Sequence, residues 1–326
     1  MAARSVDIVP DGDVYLICGG AKGVASKLRV SSVALKTGSP IFRKMLGPSF
    51  KEGQQLASKG FVDIPLKDDD PEAMTMLCRA LHLQFVAMPE ELNPNSLMVL
   101  SVAADKYDCT GSLRFASEVW IKNAMLTIKP VDLIKLLTAA YLFQQRKVFS
   151  AVGRDLLLKS EGEVKRLEGE HPIEIDACIG YLNTVKRGIE KSLVTFVESD
   201  LRSRFDPSSA YLCQPNCLYR IVQASTVLQQ LSKVHVWPVS NWMYQYVAIS
   251  LERLLTGFRS LVTMPTKTEP CGPQCCGGGR KSLTYESAQG VYAKKATDTE
   301  QTLPRLRYLC ARGGSKMLTG GCSHPA

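Results

Sequence analysis

The first third of the chain predicts an α+β fold, and the rest predicts helices alone up to a glycine-rich tail. Three observations carry this. A short apolar run, Val14 to Ile17, and a strand-like alternation at Leu28 to Val30 are interleaved with helical patterns before residue 125. Beyond Lys129-Pro130 the texture changes to long amphipathic helical patterns. Residues 266–326 hold nine glycines and no sustained apolar period, so too little surface can be buried to offset chain entropy, and a disordered tail is expected.

Residues 1–10 are expected to be a flexible N-terminus. A first strand runs from Asp13 to Cys18 and closes on Gly19-Gly20. The run GGAKGVASK invites a phosphate-loop reading, because glycines let backbone amides approach an anion. No Gly-Lys-Ser/Thr closes it and a strand follows at Lys27, so a hairpin turn is the better account. In the second strand Leu28 and Val30 face one way, Arg29 and Ser31 the other. Val33, Ala34 and Leu35 then precede Gly38-Ser39-Pro40, a helix stop followed by a cap-plus-proline start. Ile41, Phe42, Met45 and Leu46 form the next apolar face. Gly47 and Pro48 break that helix and are expected to leave Phe50-Lys51-Glu52 in an exposed loop. Phe61 to Pro65 reads as a third strand. Lys67 to Pro71 opens a helix through Met74, Leu77, Leu81 and Phe85, followed by helices over Ser96–Tyr107 and Leu113–Met125.

In the back half, Leu133, Ile134, Leu137, Tyr141 and Val148 place a stripe on one helix. A charged loop over 160–172 precedes a long helix marked by Ile175, Ile179, Leu182, Val185, Ile189, Leu193 and Phe196. Further helices are expected over Cys217–Leu231 and Asn241–Leu261, and the whole over 126–265 as an all-α unit.

Composition sets the class. The chain has 326 residues, and 45% hydrophobic content is ample for a core. The start, MAARSVDIVPDGD, has no apolar h-region, so no secretory signal is expected. The window from Val236 to Leu251 lacks charge but contains Pro, Ser, Asn and Gln, so no membrane span is expected. Eleven cysteines without a signal then read as reduced thiols, and the expected compartment is cytoplasm or nucleus. The net charge of +9 is uneven: residues 1–125 balance 14 basic against 14 acidic, while residues 266–326 hold 9 against 4. That basic tail opens an alternative function, a nuclear regulator touching nucleic acid through the C-terminal half. Neither an aromatic platform nor a basic recognition helix accompanies it, so nucleic acid is not the expected partner.

Asp11-Gly12-Asp13-Val14, then Leu35, Ser39, Pro40, Phe42 and Met45, then Phe50-Lys51-Glu52, and finally Asp105-Lys106-Tyr107 occur in that order. Over about residues 11–125 this resembles a BTB/POZ domain, where L-x-x-x-S-P-x-F-x-x-M precedes an apolar-x-Glu. The stretch RALHLQFVAMPEEL lacks the Tyr-Thr-Gly turn of animal BTB domains and resembles the fungal branch, whose members carry a comparable helical region behind the head. The resemblance implies a protein-binding, non-enzymatic adaptor or scaffold. In BTB adaptors of ubiquitin ligases an apolar-x-Glu docks on the cullin, which would make Phe50, Lys51 and Glu52 partner-binding. Asp13 often faces a charged pocket in BTB dimers; Ser31 stands where the family usually has His, which removes its basic partner. A strand-start cap is the plainer role for Asp13. Swapped BTB dimers use an extra helix and strand ahead of the core, and only ten residues precede Asp11, so a swapped homodimer is not expected, while association through other surfaces stays open.

Cys213 and Cys217, with Cys271 and Cys275, form two C-x3-C pairs that could offer four thiolates to zinc. Paired C-x2-C knuckles are absent and two helices separate the pairs, so no cofactor is expected. Four histidines (82, 171, 235 and 324) and no His-Glu-x-x-His, Gly-x-Ser-x-Gly or Walker pattern point away from catalysis. His82, among apolar neighbours, reads as a satisfied, partly buried residue rather than a base.

Overall fold

Alternating burial along Val14–Cys18 and Ser26–Val30 makes two strands whose even positions face a core and whose odd positions stay partly wet. In a computed structural model these are β2 and β3, an antiparallel pair in register from Val14 opposite Val30 to Cys18 opposite Ser26. The structure describes residues 4–19, 25–167, 173–205, 218–233, 236–238, 249–260 and 294–299. Val62–Leu66 (β4) lies parallel to β2 on its far side. Arg4–Asp7 (β1) lies parallel to β3, completing a mixed sheet in the order β1-β3-β2-β4. A flexible N-terminus was expected at 1–10; instead residues 4–7 satisfy the open edge of β3, and Ile8 and Val9 N–H both donate to Arg29 O. Gly12 is required by close approach, since a Cβ there would come within 2.6 Å of Val30 O.

Helices follow the turn chemistry. Ser32–Gly38 (α1) and Pro40–Met45 (α2) meet at Ser39, whose Oγ accepts the Phe42 N–H at 3.0 Å. Lys51–Lys59 (α3) ends on Gly60 in the left-handed region. Pro71–Leu81 (α4) is capped by Asp70, whose carboxylate accepts from the N–H of Glu72 and Ala73. Pro94–Lys106 (α5) is capped by Asn93 through the Ser96 N–H. Arg114–Thr127 (α6), Leu133–Leu142 (α7), Arg146–Lys159 (α8), Ile173–Phe205 (α9), Leu218–Lys233 (α10) and Leu251–Arg259 (α11) follow, and residues 294–299 are helical as well.

Three helices end on a non-glycine residue with positive φ: α4 on Leu83 (59°), α5 on Asp108 (52°) and α7 on Gln144 (58°). In each, the next N–H reaches back five residues, Gln84 to Arg79 O, Cys109 to Ala104 O and Gln145 to Ala140 O. These are Schellman closures built without glycine. The third corrects the single helix expected through Val148: the chain breaks at 143–145 into α7 and α8. The first closure, at Leu83, stops α4 at Leu81, so Phe85, expected in that helix, belongs to a separate 3-10 turn.

The described residues fall into two compact units. The first runs to Gly153 and includes Leu167–Ile175; the second takes Arg154–Arg166 and continues from Asp176. The first unit therefore extends past the boundary expected at 125. The reason is α7, buried at every position but Lys135 and packed on α5, so that Leu133, Leu136 and Leu137 join Leu97 and Leu100 in one core.

In the second unit the expected loop after α8 is pinned by α9. Asn183 accepts from the Val164 N–H at 2.8 Å and donates to Val164 O at 3.1 Å. Lys186, 3% exposed, donates to Ser160 O at 2.6 Å and to Gly162 O. Burial pulls its pKa down, against Glu190, Glu161 and Glu163, which favour the charge.

Candidate functional site

The residues marked in the sequence separate into a buried group and an exposed one. Ser39 and Phe42 meet Tyr107 although the sequence sets it far from them. The Phe42 and Tyr107 rings stack with centroids 4.4 Å apart and planes 2° apart. Ser39 Oγ donates to Tyr107 O at 2.6 Å. Tyr107 Oη donates to Asp69 Oδ2 at 2.6 Å, and Lys106 Nζ donates to Asp69 Oδ1 at 2.6 Å. Asp69, 8% exposed, is thus a paired buried carboxylate. Burial, then the bond to Asp69, holds the Tyr107 hydroxyl well above its usual pKa. Leu35 is fully buried, while Pro40 opens α2 and is exposed; Met45 is partly buried and Asp105 exposed. The motif is therefore chiefly a device that ties α2 to the end of α5. Sequence reading missed Asp69: nothing in the run Asp68-Asp69-Asp70 says which carboxylate turns inward.

Cys18, Cys78 and Cys109 lie in the same core as free thiols. Burial raises all three pKa values, Cys18 to about 12 and Cys109 to about 11, so these are inert side chains in the packing.

Asp13 closes the other end of β2–β3. Its carboxylate accepts from the Ser32 N–H and the Ser32 hydroxyl, both at 2.7 Å, and so caps α1 from outside the helix. The neighbouring Ser31 N–H donates to His82 Nε2 at 2.9 Å. An N–H can only donate, so Nε2 carries the lone pair and Nδ1 the proton, given to Cys78 O at 2.6 Å. Burial lowers the pKa of His82, opposed by that backbone bond. A histidine thus does stand beside Ser31, supplied by α4 and held neutral.

Phe50-Lys51-Glu52 departs from the loop expected. Phe50 is the extended N-cap residue of α3, and Lys51 and Glu52 form its first turn. The helix starts early because Gly53 can lie against the Gly47 carbonyl; a Cβ there would sit 2.0 Å from Gly47 O. Glu52 at this end is favoured by the helix dipole. Phe50 is 49% exposed, with its N–H given to Gly47 O. A fixed, half-exposed aromatic beside an exposed lysine and a first-turn carboxylate can fill an apolar pocket and meet a donor at its rim.

Cys213, Cys217, Cys271 and Cys275 lie outside the described residues. Among the described residues no group of three or more His, Cys, Asp or Glu side chains could hold a metal ion, and no helix is long and apolar enough to cross a membrane. Compared with family models and with curated proteins, the chain matches none.

Proposed function

We propose that the chain is a non-catalytic protein-binding module of the BTB type, an adaptor or scaffold whose head docks on a cullin through Phe50, Lys51 and Glu52. One observation supports it above the rest: the marked residues divide by role. Leu35, Ser39, Phe42 and Tyr107 are spent on the core, whereas Phe50 is half-exposed on a rigid turn next to Glu52. An aromatic left out by a head that buries its other marked aromatics is available to a partner.

The test is a titration of the full chain against the cullin N-terminal region of the same organism. Phe50→Ala should cost roughly 2 kcal/mol or more, on the order of thirtyfold in affinity. Glu52→Ala should cost less if its partner stays solvated and more if it is desolvated. Both should leave the melting temperature nearly unchanged. A wild-type chain that fails to bind would remove the cullin from the reading and leave a scaffold for other proteins. Binding that neither substitution weakens would move the contact elsewhere on the head.

A further inference from the structure

Helix α6 carries two apolar faces, only one of which is covered among the described residues. Ser117, Trp120 and Ile121 are buried, and the Trp120 indole N–H donates to Pro89 O at 3.0 Å. Phe115, Val119 and Leu126 project from the opposite side, 82%, 53% and 84% exposed. With Lys122 they fall at i, i+4, i+7 and i+11, a single strip along the helix. A strip of this spacing is what helix-in-groove recognition uses. Its centre is the Lys122–Glu118 ion pair, and the charges around that pair are basic, Arg114 and Lys147. Residues 114–131 hold three basic side chains, Arg114, Lys122 and Lys129, and one acidic, Glu118. Glu118 is already bonded to Lys122 at 2.6 Å and feels Lys147 and Arg114 as well.

We propose that this face of α6 binds an acidic amphipathic helix of a partner protein, with apolar side chains against Phe115, Val119 and Leu126 and carboxylates against Lys122 and its basic rim. The charge selects the occupant. The chain's own residues 266–326 carry 9 basic and 4 acidic side chains, the wrong sign. A second copy would set one basic strip against another, which like-charge repulsion disfavours. The inference rests on the protein-binding reading but not on Phe50, Lys51 or Glu52.

The probe is a synthetic helix of about eighteen residues, with leucine on one face and glutamate on the others. It is compared with a counterpart in which every glutamate is lysine. Added to the full chain and followed by fluorescence anisotropy, the acidic peptide should bind at least about tenfold more tightly than the basic one, and more weakly as salt rises. Phe115→Ser and Leu126→Ser should each weaken it about tenfold at unchanged melting temperature, since both side chains are mostly in solvent. Lys122→Glu should weaken it too, whereas Phe50→Ala should not. Loss of cullin binding with peptide binding intact would therefore sink only the docking site at Phe50. The inference is overturned by no binding of the acidic peptide, by equal affinity for both peptides, or by indifference to Phe115→Ser and Leu126→Ser. Self-association that Leu126→Ser disperses would also overturn it, assigning the face to a second copy, as would capture by anionic vesicles but not by the peptide.

Discussion

His82 holds the end of α4 to the start of α1 through a nitrogen that must stay unprotonated. Protonating Nε2 would set a donor against the Ser31 N–H, and burial already opposes the charge. The unfolded chain therefore binds the proton more readily than the folded one between the lowered pKa and the ordinary 6.5. In that window stability rises with pH. The contribution is complete above about pH 6.5 and is lost as pH falls through the lowered folded value. Denaturant titrations of wild type and His82→Gln from neutral to mildly acidic pH should show the wild type losing its advantage as pH falls. A constant difference between the two would rule out this linkage. The sequence offered only the expectation of a satisfied, partly buried histidine here. Its partner Ser31 is 51 residues away, a distance no local pattern spans. Asp69 was hidden for the same reason, while Ser39, Phe42 and Tyr107 were visible because their types and order form a resemblance.

Strands β2, β3 and β4 and the helix starts at Ser39 and Asp70 were legible because their signals are local, whereas β1 fell in a stretch expected to be flexible. Two-residue alternation, the Ser39-Pro40 start and the Asp70-Pro71 cap each sit within a few residues of the element they specify. Helix α5, by contrast, was expected from Ser96 and starts two residues earlier, at Pro94 on the Asn93 cap. What was not legible were the helix ends at Leu83, Asp108 and Gln144, which take the left-handed conformation without the glycine that announces it. The second face of α6 was hidden because the Phe115–Val119–Leu126 strip overlaps the Trp120–Ile121 strip in sequence, and only burial separates them. The start of α3 was misread because Gly47 and Pro48 look like loop residues, yet they form the turn on which Gly53 rests. Gly53 gives this element its test. In an open helix interior Gly→Ala stabilises by up to about 1 kcal/mol. Here the new methyl meets backbone, the Gly47 oxygen at 2.0 Å and the Leu46 carbonyl carbon at 2.8 Å, which cannot swing aside as a side-chain tip would. Overpacking of this kind costs roughly 1–3 kcal/mol, so the sign should reverse. Gly53→Ala should lower the melting temperature and shift Phe50 with the turn. A stabilised variant would mean that the turn yields.

At the scale of the whole chain, the head and the helices behind it do not divide where the resemblance ends. The resemblance runs out near 125, and a head complete there would let a fragment ending at Lys129 fold alone. In the structure that cut removes α7, whose side chains are core in all but one position. Leu133, Ile134, Leu136 and Leu137 are each buried to within a few per cent. At roughly 2 kcal/mol for each such side chain their loss comes to about 8 kcal/mol. A domain's entire stability is about 5–15 kcal/mol, so the shorter fragment forfeits most or all of it. It also bares the flank of α5 that α7 covers, leaving Leu97 and Leu100 near water, an invitation to aggregate. A fragment ending at Ser160 keeps α7 and the whole of α8. Thermal and denaturant melts of the two fragments beside the full chain settle the matter. The longer should unfold in one cooperative transition, and the shorter should show none or a midpoint far lower. Two fragments of equal stability would mean that α7 is an appendage to a head already complete at 125.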